Sequence, residues 1–276
     1  MDLLSQKAIK KLLAEHQIFP SKKLGQNFLI NKATFQKIIK AADLRPEDII
    51  LEIGPGIGNL TQELAKKVKK VIAVEKDQKM IKILTETTRN FKNIKIVQAD
   101  ILKIKRAQLP RANYKIVANL PYYIVSPVIR KFLETPRSPK EMILMVQKEV
   151  AQRIVARPPD MNLLAVSVQF YAVPKIISFV PRSSFWPSPK VDGAIIRMIP
   201  KKPLSRFNAD LFFKIVKAGF SQPRKQILNN LSKVLKLDKE KAAAWLLKTN
   251  IQPSQRAETL KLEDWILLVK KFRFLL

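Results

Sequence analysis

A glycine-rich turn between an apolar segment and an amphipathic one is the feature that most restricts the fold of this chain. Residues 49–60 read Ile-Ile-Leu-Glu-Ile-Gly-Pro-Gly-Ile-Gly-Asn-Leu and hold three of the six glycines in the sequence. The apolar run predicts a buried strand, and the segment after the glycines predicts a helix. A strand, a glycine turn and a helix N-terminus present bare backbone N–H groups, so this stretch predicts a ligand-binding turn.

Strand-like and helix-like segments alternate from residue 49 to residue 157. Near-continuous apolar strands separated by helices are typical of a parallel sheet that is covered on both faces. The predicted strands are 49–53, 71–75, 94–98, 115–118 and 142–146, and the predicted helices are 60–69, 77–90, 127–134 and 147–157. Two later strand-like runs, 175–180 and 194–199, predict a hairpin-like pair at the edge of this sheet. The sheet would then have seven strands, with the last one antiparallel.

The C-terminal quarter of the chain has a wholly helical pattern. Its predicted helices are 209–220, 223–235, 239–248 and 262–272, and further helices are predicted at 5–16, 32–42 and 164–172. We therefore predict two domains, 1–202 and 203–276. The segment 201–276 holds 17 Lys and Arg against 6 Asp and Glu, so the smaller domain is strongly basic.

Composition excludes several kinds of function. The chain has no cysteine and a single histidine, His16, which excludes thiolate and histidine-cluster metal sites, so no metal is expected. No apolar run reaches the ~18 residues that span a bilayer, and no secretory signal is recognised, so a cytoplasmic protein is expected. The net charge of +30 predicts a polyanionic partner. Nucleic acid fits better than anionic lipid, because no basic helix carries an aromatic anchoring face.

Four polar side chains stand where predicted strands end. Glu52, Glu75, Asp100 and Asn119 fall at the carboxyl ends of four strands, the edge at which open α/β sheets bind ligands. A carboxylate at Glu75 can accept hydrogen bonds from both ribose hydroxyls, and one at Asp100 can receive an adenine amine. The glycine spacing departs from the dinucleotide fingerprint, since Asn59 replaces its third glycine, and no P-loop lysine follows. The pattern predicts a nucleoside-containing ligand that is cationic.

Residues 119–122, Asn-Leu-Pro-Tyr, resemble the catalytic motif of S-adenosylmethionine-dependent methyltransferases that modify the exocyclic amine of a nucleobase. Further motifs continue the resemblance in order along the chain. They are Leu-Gly-Gln-Asn-Phe-Leu at 24–29, Leu-Glu-Ile-Gly-Pro-Gly at 51–56, Gln-Lys-Glu-Val-Ala-Gln-Arg at 147–153, Pro-Ser-Pro-Lys-Val-Asp at 187–192 and the segment from Arg224-Lys225 to Asn229-Asn230. Over about residues 18–270 the chain resembles the ribosomal small-subunit adenine dimethyltransferases of the KsgA type.

This resemblance implies a class I S-adenosylmethionine-dependent methyltransferase fold with a small helical C-terminal domain. The residues that it assigns to the cofactor are Gln26, Asn27, Leu29, Gly54, Gly56, Glu75, Asp100, Ile101 and Asn119. It assigns catalysis to Asn119, Leu120, Pro121, Tyr122 and Phe185. In that assignment Asn119 and the Leu120 carbonyl accept hydrogen bonds from the target amine, while Tyr122 and Phe185 pack on the two faces of the flipped base. Lys148, Arg153, Lys190, Arg224 and Lys225 would contact RNA.

The resemblance also implies the reaction and the partner. We expect dimethylation of two adjacent adenosines near the 3′ end of small-subunit rRNA, during assembly of that subunit, by a protein that is monomeric away from the ribosome. One alternative is a large-subunit rRNA adenine methyltransferase of the macrolide-resistance type. Another is an assembly or transcription factor that kept the fold without catalysis. Met161-Asn162 replaces the Tyr-Gly pair of many relatives, and we expect an effect on the nearby loop or on RNA contact.

Overall fold

The chain divides into two compact units. The computed structural model describes residues 3–21, 25–110, 113–135, 137–202 and 207–272. The first unit comprises residues 1–151 and 174–200, and the second comprises residues 152–173 and 201–276. The predicted boundary at residue 203 lies outside the described residues. The prediction of two uninterrupted domains differs from this division, because residues 152–173 fall in the second unit.

Seven strands form the main sheet and two short ones form a separate ribbon. In chain order the strands are β1 Phe28–Leu29, β2 Ile49–Ile53, β3 Lys70–Glu75, β4 Ile94–Gln98, β5 Tyr114–Asn119, β6 Glu141–Gln147, β7 Ala172–Val180, β8 Phe185–Trp186 and β9 Gly193–Pro200. The main sheet has the order β4-β3-β2-β5-β6-β9-β7, and β1 pairs antiparallel with β8. Consecutive residues of β2, β5 and β6 are buried, which shows that both faces of the central sheet are covered.

The first five strands of the main sheet are parallel, as predicted. β2 pairs in parallel with β3 and β5, β3 with β4, and β5 with β6. The last strand, β9, is antiparallel to β6, which confirms the other part of the prediction. It lies between β6 and β7, a position that strand propensity along the chain does not determine. The parallel arrangement brings the carboxyl ends of β2, β3, β4 and β5 to one edge.

In the described part of the chain, six helices accompany these strands. They are α1 Gln6–Glu15, α2 Lys32–Ala41, α3 Asn59–Ala65, α4 Gln78–Thr87, α5 Val125–Leu133 and α6 Lys148–Val155. Ser5, Asn31 and Asp77 cap α1, α2 and α4 by accepting a hydrogen bond from a backbone N–H of the first turn. The apolar faces of α2 and α3 are buried in one cluster with β2, β3 and β5. That packing fixes the start of α3 directly after the glycine turn.

The N-terminal helix packs on the same edge of the sheet as the glycine turn. Its buried residues Ile9 and Leu12 join one hydrophobic cluster with Phe28 of β1, Ile57 of the turn and Met80 of α4. Helix α1, strand β1 and the glycine turn are thereby held together. The N-terminal segment is part of the framework around the predicted site.

The second unit is a helical bundle. Its helices are α7 Leu163–Tyr171, α8 Ala209–Gly219, α9 Ile227–Leu235, α10 Lys239–Leu247 and α11 Leu262–Phe272. Trp245 and Trp265 lie at the centre of its core. The close approach of α8 and α11 requires Gly219, since a Cβ atom there would lie 2.3 Å from the Trp265 ring. Among the described residues no helix is both long and apolar enough to cross a membrane.

Helix α7 belongs to this bundle because its apolar residues are buried there. Met161, Ala165 and Val166 share the core of α8 and α11. Asn162 caps α7 by accepting from the Ala165 N–H at 3.0 Å, and its Nδ2 donates to the Arg153 carbonyl at 3.0 Å. The Met161-Asn162 pair therefore supplies a core residue and a helix cap.

Helix α9 begins later than predicted. The predicted start was residue 223, whereas the helix begins at Ile227. Gln226 is extended and pairs with Arg256, and the Ile227 N–H bonds to the Gln255 carbonyl. This pairing holds residues 223–226 outside the helix, so Arg224 and Lys225 lie in the connection between α8 and α9.

Candidate active site

A cleft of about 310 Å³ opens at the carboxyl ends of β2, β3, β4 and β5. It is the edge at which the sequence predicted a ligand site. Its lining comes from five stretches of the first unit: residues 25–29, 52–60, 74–80, 99–102 and 119–124. The four predicted strand-end residues, Glu52, Glu75, Asp100 and Asn119, all line it.

The glycine turn forms the floor of the cleft with left-handed backbone. Gly56 has φ +58° and donates its N–H to Glu75 Oε2 at 3.1 Å. Gly58, with φ +85°, caps α3, and a Cβ atom there would lie 2.8 Å from Leu84 of α4. Both positions thus require glycine, one to leave backbone exposed to the cleft and the other for close packing on α4.

Glu75 at the end of β3 is held by backbone donors. Its Oε1 accepts from the N–H groups of Lys76 and Asp77 at 2.7 and 2.9 Å, while Oε2 accepts from Gly56. Burial raises the pKa of Glu75 above its ordinary value, and the three N–H donors counteract part of that effect. The carboxylate is therefore fixed in orientation and stays at the edge of the cleft.

Asp100 sits after β4 in a more open setting. Its Oδ1 accepts from the Leu102 N–H at 2.9 Å and its Oδ2 accepts from Lys76 Nζ at 3.0 Å. Partial burial raises the pKa of Asp100, but the hydrogen bonds from Lys76 and Leu102 outweigh it and leave that pKa below its ordinary value. Asp100 is thus an ionised acceptor, and the Ile101 side chain lies buried next to it.

The segment 25–29, here named the strap, forms another part of the cleft wall. Gln26 donates to Asp77 Oδ2 at 2.8 Å, Asn59 donates to the Leu29 carbonyl at 2.9 Å, and Asn119 donates to the Asn27 carbonyl at 3.1 Å. These bonds tie the strap to α4, α3 and β5 respectively. The family resemblance predicts that Gln26, Asn27 and Leu29 contact the cofactor, and all three line the cleft.

Residues 119–122 form the rim between the cleft and solvent. Asn119 ends β5, and its Nδ2 points to the strap, which leaves Oδ1 as an acceptor with no partner among the described residues. Leu120 is buried, Pro121 is extended, and a single 3₁₀ turn begins at Tyr122. Burial, followed by the charge of Asp192, raises the pKa of Tyr122, so its hydroxyl stays protonated. The predicted catalytic motif is thus assembled at one place.

Phe185 lies in the β1–β8 ribbon. It pairs with Leu29 across the β1–β8 ribbon, is only 3% exposed, and packs in the core with Ile195. It is not among the residues that line the cleft. The structure therefore places Phe185 in the core beside Leu29 of the strap, and its stacking on a base stays a prediction.

The predicted RNA-contacting residues fall in both units. In the first unit, Lys148 begins α6 with its Nζ 5.3 Å from the ring centre of Phe179, and Lys190 is exposed in the loop before β9. In the second unit, Arg153, Arg224 and Lys225 are exposed.

Three residues that the resemblance did not assign to the cofactor or to catalysis are part of the cleft. Glu52 lines the cleft with its carboxyl buried, Asn59 anchors the strap, and Asp77 receives Gln26. The strand-end position of Glu52 and the replacement of a fingerprint glycine by Asn59 were visible signals. The role of Asp77 depends on a contact 51 residues away in sequence, which no local pattern shows.

The cleft fits S-adenosylmethionine, which is a cation that carries a ribose and an adenine. Its volume is within the ~300–1,000 Å³ typical of ligand sites. Glu75 and Asp100 supply oriented acceptors, and Gly54 and Gly56 expose backbone. Glu52 Oε2 is a buried oxygen without a hydrogen-bond partner among the described residues, as expected of a group that faces a cation.

Comparison with known proteins gives one family. The family model described as "Ribosomal RNA adenine dimethylase" matches residues 20–273. The chain is 44% identical over 263 residues to "Ribosomal RNA small subunit methyltransferase A" of Dehalococcoides mccartyi, covering 94% of this chain and 90% of the relative. It is 41% identical to the protein of that name in Alkaliphilus oremlandii, covering 96% of each.

Solved structures agree with this result. A dimethyladenosine transferase from Plasmodium falciparum superposes with a TM-score of 0.77 and 30% identity, covering 90% of this chain and 98% of that one. The 23S rRNA methyltransferase ErmE superposes with a TM-score of 0.73 and 27% identity, covering 90% and 100%. The match of the family model over most of the chain, together with these relatives, shows that the protein belongs to the ribosomal RNA adenine dimethylase family and is an S-adenosylmethionine-dependent methyltransferase.

Proposed function

We propose that this protein dimethylates the exocyclic amines of two adjacent adenosines near the 3′ end of small-subunit rRNA during assembly of that subunit. The observation that carries the proposal is the lining of the cleft, to which Asn119, Leu120 and Tyr122 contribute together with Glu75 and Asp100 at the ends of β3 and β4. The names of the relatives at 44% and 41% identity support the small subunit as the target.

The rim residues act by positioning the amine. Asn119 Oδ1 and the Leu120 carbonyl accept hydrogen bonds from the two N–H groups of the amine. These bonds draw the nitrogen lone pair out of conjugation with the adenine ring. Pro121 adds no competing N–H at this point. Holding nucleophile and methyl donor in line is worth up to ~7–11 kcal/mol of the barrier, so a cleft without histidine or cysteine is adequate for this chemistry.

Tyr122 supports the extracted base. Extraction of a base from its stack costs a few kcal/mol, and stacking on an aromatic ring returns about 1–3 kcal/mol. The Tyr122 side chain is half-buried on the rim, a position from which its ring can cover one face of an adenine. We assign Phe185, which pairs with Leu29 across the β1–β8 ribbon, to the other face of that base.

The cofactor is held by the parts of the cleft that lie outside the 119–122 rim. We assign Glu75 to the ribose hydroxyls, Asp100 with the Ile101 backbone to the adenine, and Asn27 and Leu29 of the strap to the side of the cofactor facing them. Gln26 holds the strap by its bond to Asp77. When bound, S-adenosylmethionine supplies the electrophilic methyl group. Gly54 and Gly56 let backbone approach it without a side chain between.

Basic side chains bind the RNA backbone in this proposal. Lys148, Arg153, Lys190, Arg224 and Lys225 are the candidates, in a chain with a net charge of +30. Phosphate contacts of this kind give an affinity that falls steeply with salt concentration, and structured RNA is recognised by shape. The protein would act as a monomer in the cytoplasm before docking on the immature subunit.

Methyl transfer from labelled cofactor tests the proposal. The substrates are small-subunit particles that lack the modification, already modified particles, and protein-free large-subunit rRNA. Transfer of close to four methyl groups per unmodified small particle, with none to the other two, is expected. Transfer only to large-subunit rRNA would instead support the alternative suggested by the likeness to ErmE. Absence of transfer to either would leave the non-catalytic assembly or transcription factor.

A further inference from the structure

Glu52 is a buried acid in the cleft that the proposed mechanism leaves without a role. It is 1% exposed at the end of β2, between the strands that carry Glu75 and Asn119. Its Oε2 has no hydrogen-bond partner among the described residues, although Glu52 lines the cleft. An ionised carboxylate in such a place loses its hydration without compensation, which is strongly unfavourable.

The neighbouring groups offer Glu52 little help. Of the charged residues that line the cleft, Glu75 already receives three backbone N–H groups and is the better placed of the two acids to be ionised. The one cation of the described lining, Lys76, is paired with Asp100 at 3.0 Å. Asp77 adds a further negative charge.

The other groups beside Glu52 are weak partners. The Thr61 hydroxyl of α3 lies next to it, and the titratable phenols of the lining are Tyr122 and Tyr123 at the rim. Burial, followed by the charge of Glu75, raises the pKa of Glu52 to about 8, and Thr61 offsets only part of the rise. Without ligand, Glu52 is therefore a neutral acid at pH 7.

We propose that Glu52 is a proton-linked sensor of positive charge in this cleft: it is neutral in the free protein, and it ionises and releases its proton to solvent when the cationic methyl donor binds. The donor carries a sulfonium charge that the demethylated product lacks. Ionised Glu52 thus strengthens binding of the methyl donor. After methyl transfer Glu52 takes up a proton from solvent again, which weakens binding of the demethylated product. The inference rests on the proposed use of the cleft for the cofactor and is independent of which RNA is methylated.

Calorimetric titration of the RNA-free protein tests proton release directly. S-adenosylmethionine is titrated at pH 7.5 in two buffers with different ionisation enthalpies, and the difference gives the number of protons released. A group with a pKa of about 8 that ionises fully on binding releases about three quarters of a proton at that pH. S-adenosylhomocysteine should release less than half as much. No release, or equal release with both ligands, would overturn the proposal.

Two substitutions assign the proton. Glu52→Gln keeps the shape of the side chain and removes the titration, and Glu63→Gln makes the same change at a surface acid of α3 that pairs with Lys66. The free amino group of the cofactor titrates in the same pH range as Glu52. The protons that this amino group releases on binding are those still released by Glu52→Gln. Release by wild type and Glu63→Gln should exceed that share. Because the wild-type measurement needs no variant, poor folding of Glu52→Gln would still leave the proposal refutable.

The affinity should follow the same linkage. Between pH 6.5 and 8.5, ionisation of a group with a pKa of about 8 strengthens binding by roughly 25-fold when only the ionised form binds. The ratio of the dissociation constants of Glu52→Gln and wild type should therefore rise with pH, and a constant ratio would contradict the proposal. Failure of rRNA methylation with intact proton release would refute the proposed substrate alone. Normal methylation without release would refute the role of Glu52 alone.

Discussion

The side-chain amide of Asn119 donates a hydrogen bond to the backbone carbonyl of Asn27 at 3.1 Å, across 92 residues of sequence. This bond fixes the rotation of the Asn119 amide, so that its nitrogen holds the strap and its oxygen remains for a ligand. A motif at the end of β5 is thereby joined to the wall on which the cofactor is proposed to lie. One side chain serves both the framework of the cleft and its chemistry.

Asn119→Ala should reduce single-turnover methyl transfer by on the order of 100-fold or more, by analogy with removal of one transition-state hydrogen bond. Cofactor affinity should change only a few-fold, because Asn59 and Gln26 still hold the strap. Rapid-quench transfer and calorimetric binding measure the two effects. Asn59→Ala is the matched control, since it removes a strap bond without touching the rim. Equal loss of transfer in both variants would show that Asn119 acts only through the strap.

Glu75→Gln should weaken cofactor binding by at least tenfold. The carboxylate accepts from Gly56, Lys76 and Asp77, and each hydrogen bond to a charged group contributes about 1.5–3 kcal/mol. In glutamine the NH₂ group replaces one carboxylate oxygen, so a donor would face one of these N–H donors and that hydrogen bond would be lost. Equilibrium dialysis with labelled cofactor measures the affinity. Asp100→Asn is expected to have a smaller effect because Asp100 is held by fewer backbone donors, and the reverse order would contradict the assignment of Glu75.

Glu52→Gln should stabilise the ligand-free protein, and the gain should grow with pH. Burial raises the folded-state pKa of Glu52 to about 8 from its ordinary value of 4.5, so between those values the folded state retains a proton that the unfolded chain has lost. Stability from this group is present below about pH 4.5 and is lost as pH rises toward 8. Urea unfolding at pH 5, 6, 7 and 8 should show the difference between variant and wild type increasing by at most ~1.4 kcal/mol per pH unit. If the difference in unfolding free energy between Glu52→Gln and wild type did not change with pH, Glu52 would not be a neutral acid in the folded protein.

Local pattern was sufficient for much of the fold and for the centre of the site. The strands β2, β3, β5 and β6 were predicted because they are buried on both faces and read as apolar runs, and strand-end polarity located Glu75, Asp100 and Asn119 at one edge. Asn27 and Tyr122 came from motif resemblance, and both line the cleft.

What local pattern missed depends on contacts distant in sequence. The insertion of β9 between β6 and β7, and the burial of Met161 among helices that begin at residue 209 and later, follow from tertiary packing. Ribbon β1–β8 has only two residues in each strand, too few for any periodicity. It is also what buries Phe185, whose predicted place on the rim came from its motif.

Lys115→Met should destabilise the first unit by about 3–5 kcal/mol, the usual effect of removing one partner of a buried ion pair. Lys115 Nζ contacts Asp48 Oδ2 at 3.0 Å and Glu141 Oε1 at 3.1 Å, with all three side chains less than a tenth exposed. Among the described residues, its loss leaves the buried Asp48 carboxylate without a cation, and Glu141 keeps only its ion pair with Arg197 at 2.8 Å.

Urea unfolding measures this change. Lys66→Met, which removes an exposed partner of Glu63, should cost at most ~1 kcal/mol. Because the Lys115 cluster lies at the opposite end of the strands from the cleft, cofactor affinity under native conditions should be unchanged. A large loss of affinity would contradict that separation.

Arg224→Gln with Lys225→Gln should weaken RNA binding through lost phosphate contacts. Both residues lie exposed in the connection that the Gln226–Arg256 pairing holds outside α9. Removing two phosphate contacts should reduce the slope of log affinity against log salt by about 2 in magnitude, and cofactor titration should not change. Filter binding of small-subunit rRNA from 50 to 300 mM salt provides the slope.

The control for that pair removes the same charge elsewhere in the second unit. Lys239→Gln with Lys241→Gln alters two exposed lysines of α10, so net charge changes equally in the two double variants. Deleting the whole helical segment from residue 201 would be a poorer test, because Ala165 and Val166 of α7 would lose their core. If both double variants shift the slope equally, RNA is bound by general charge and residues 224–225 have no special role. A shift confined to Arg224→Gln/Lys225→Gln places an RNA contact in the connection between α8 and α9.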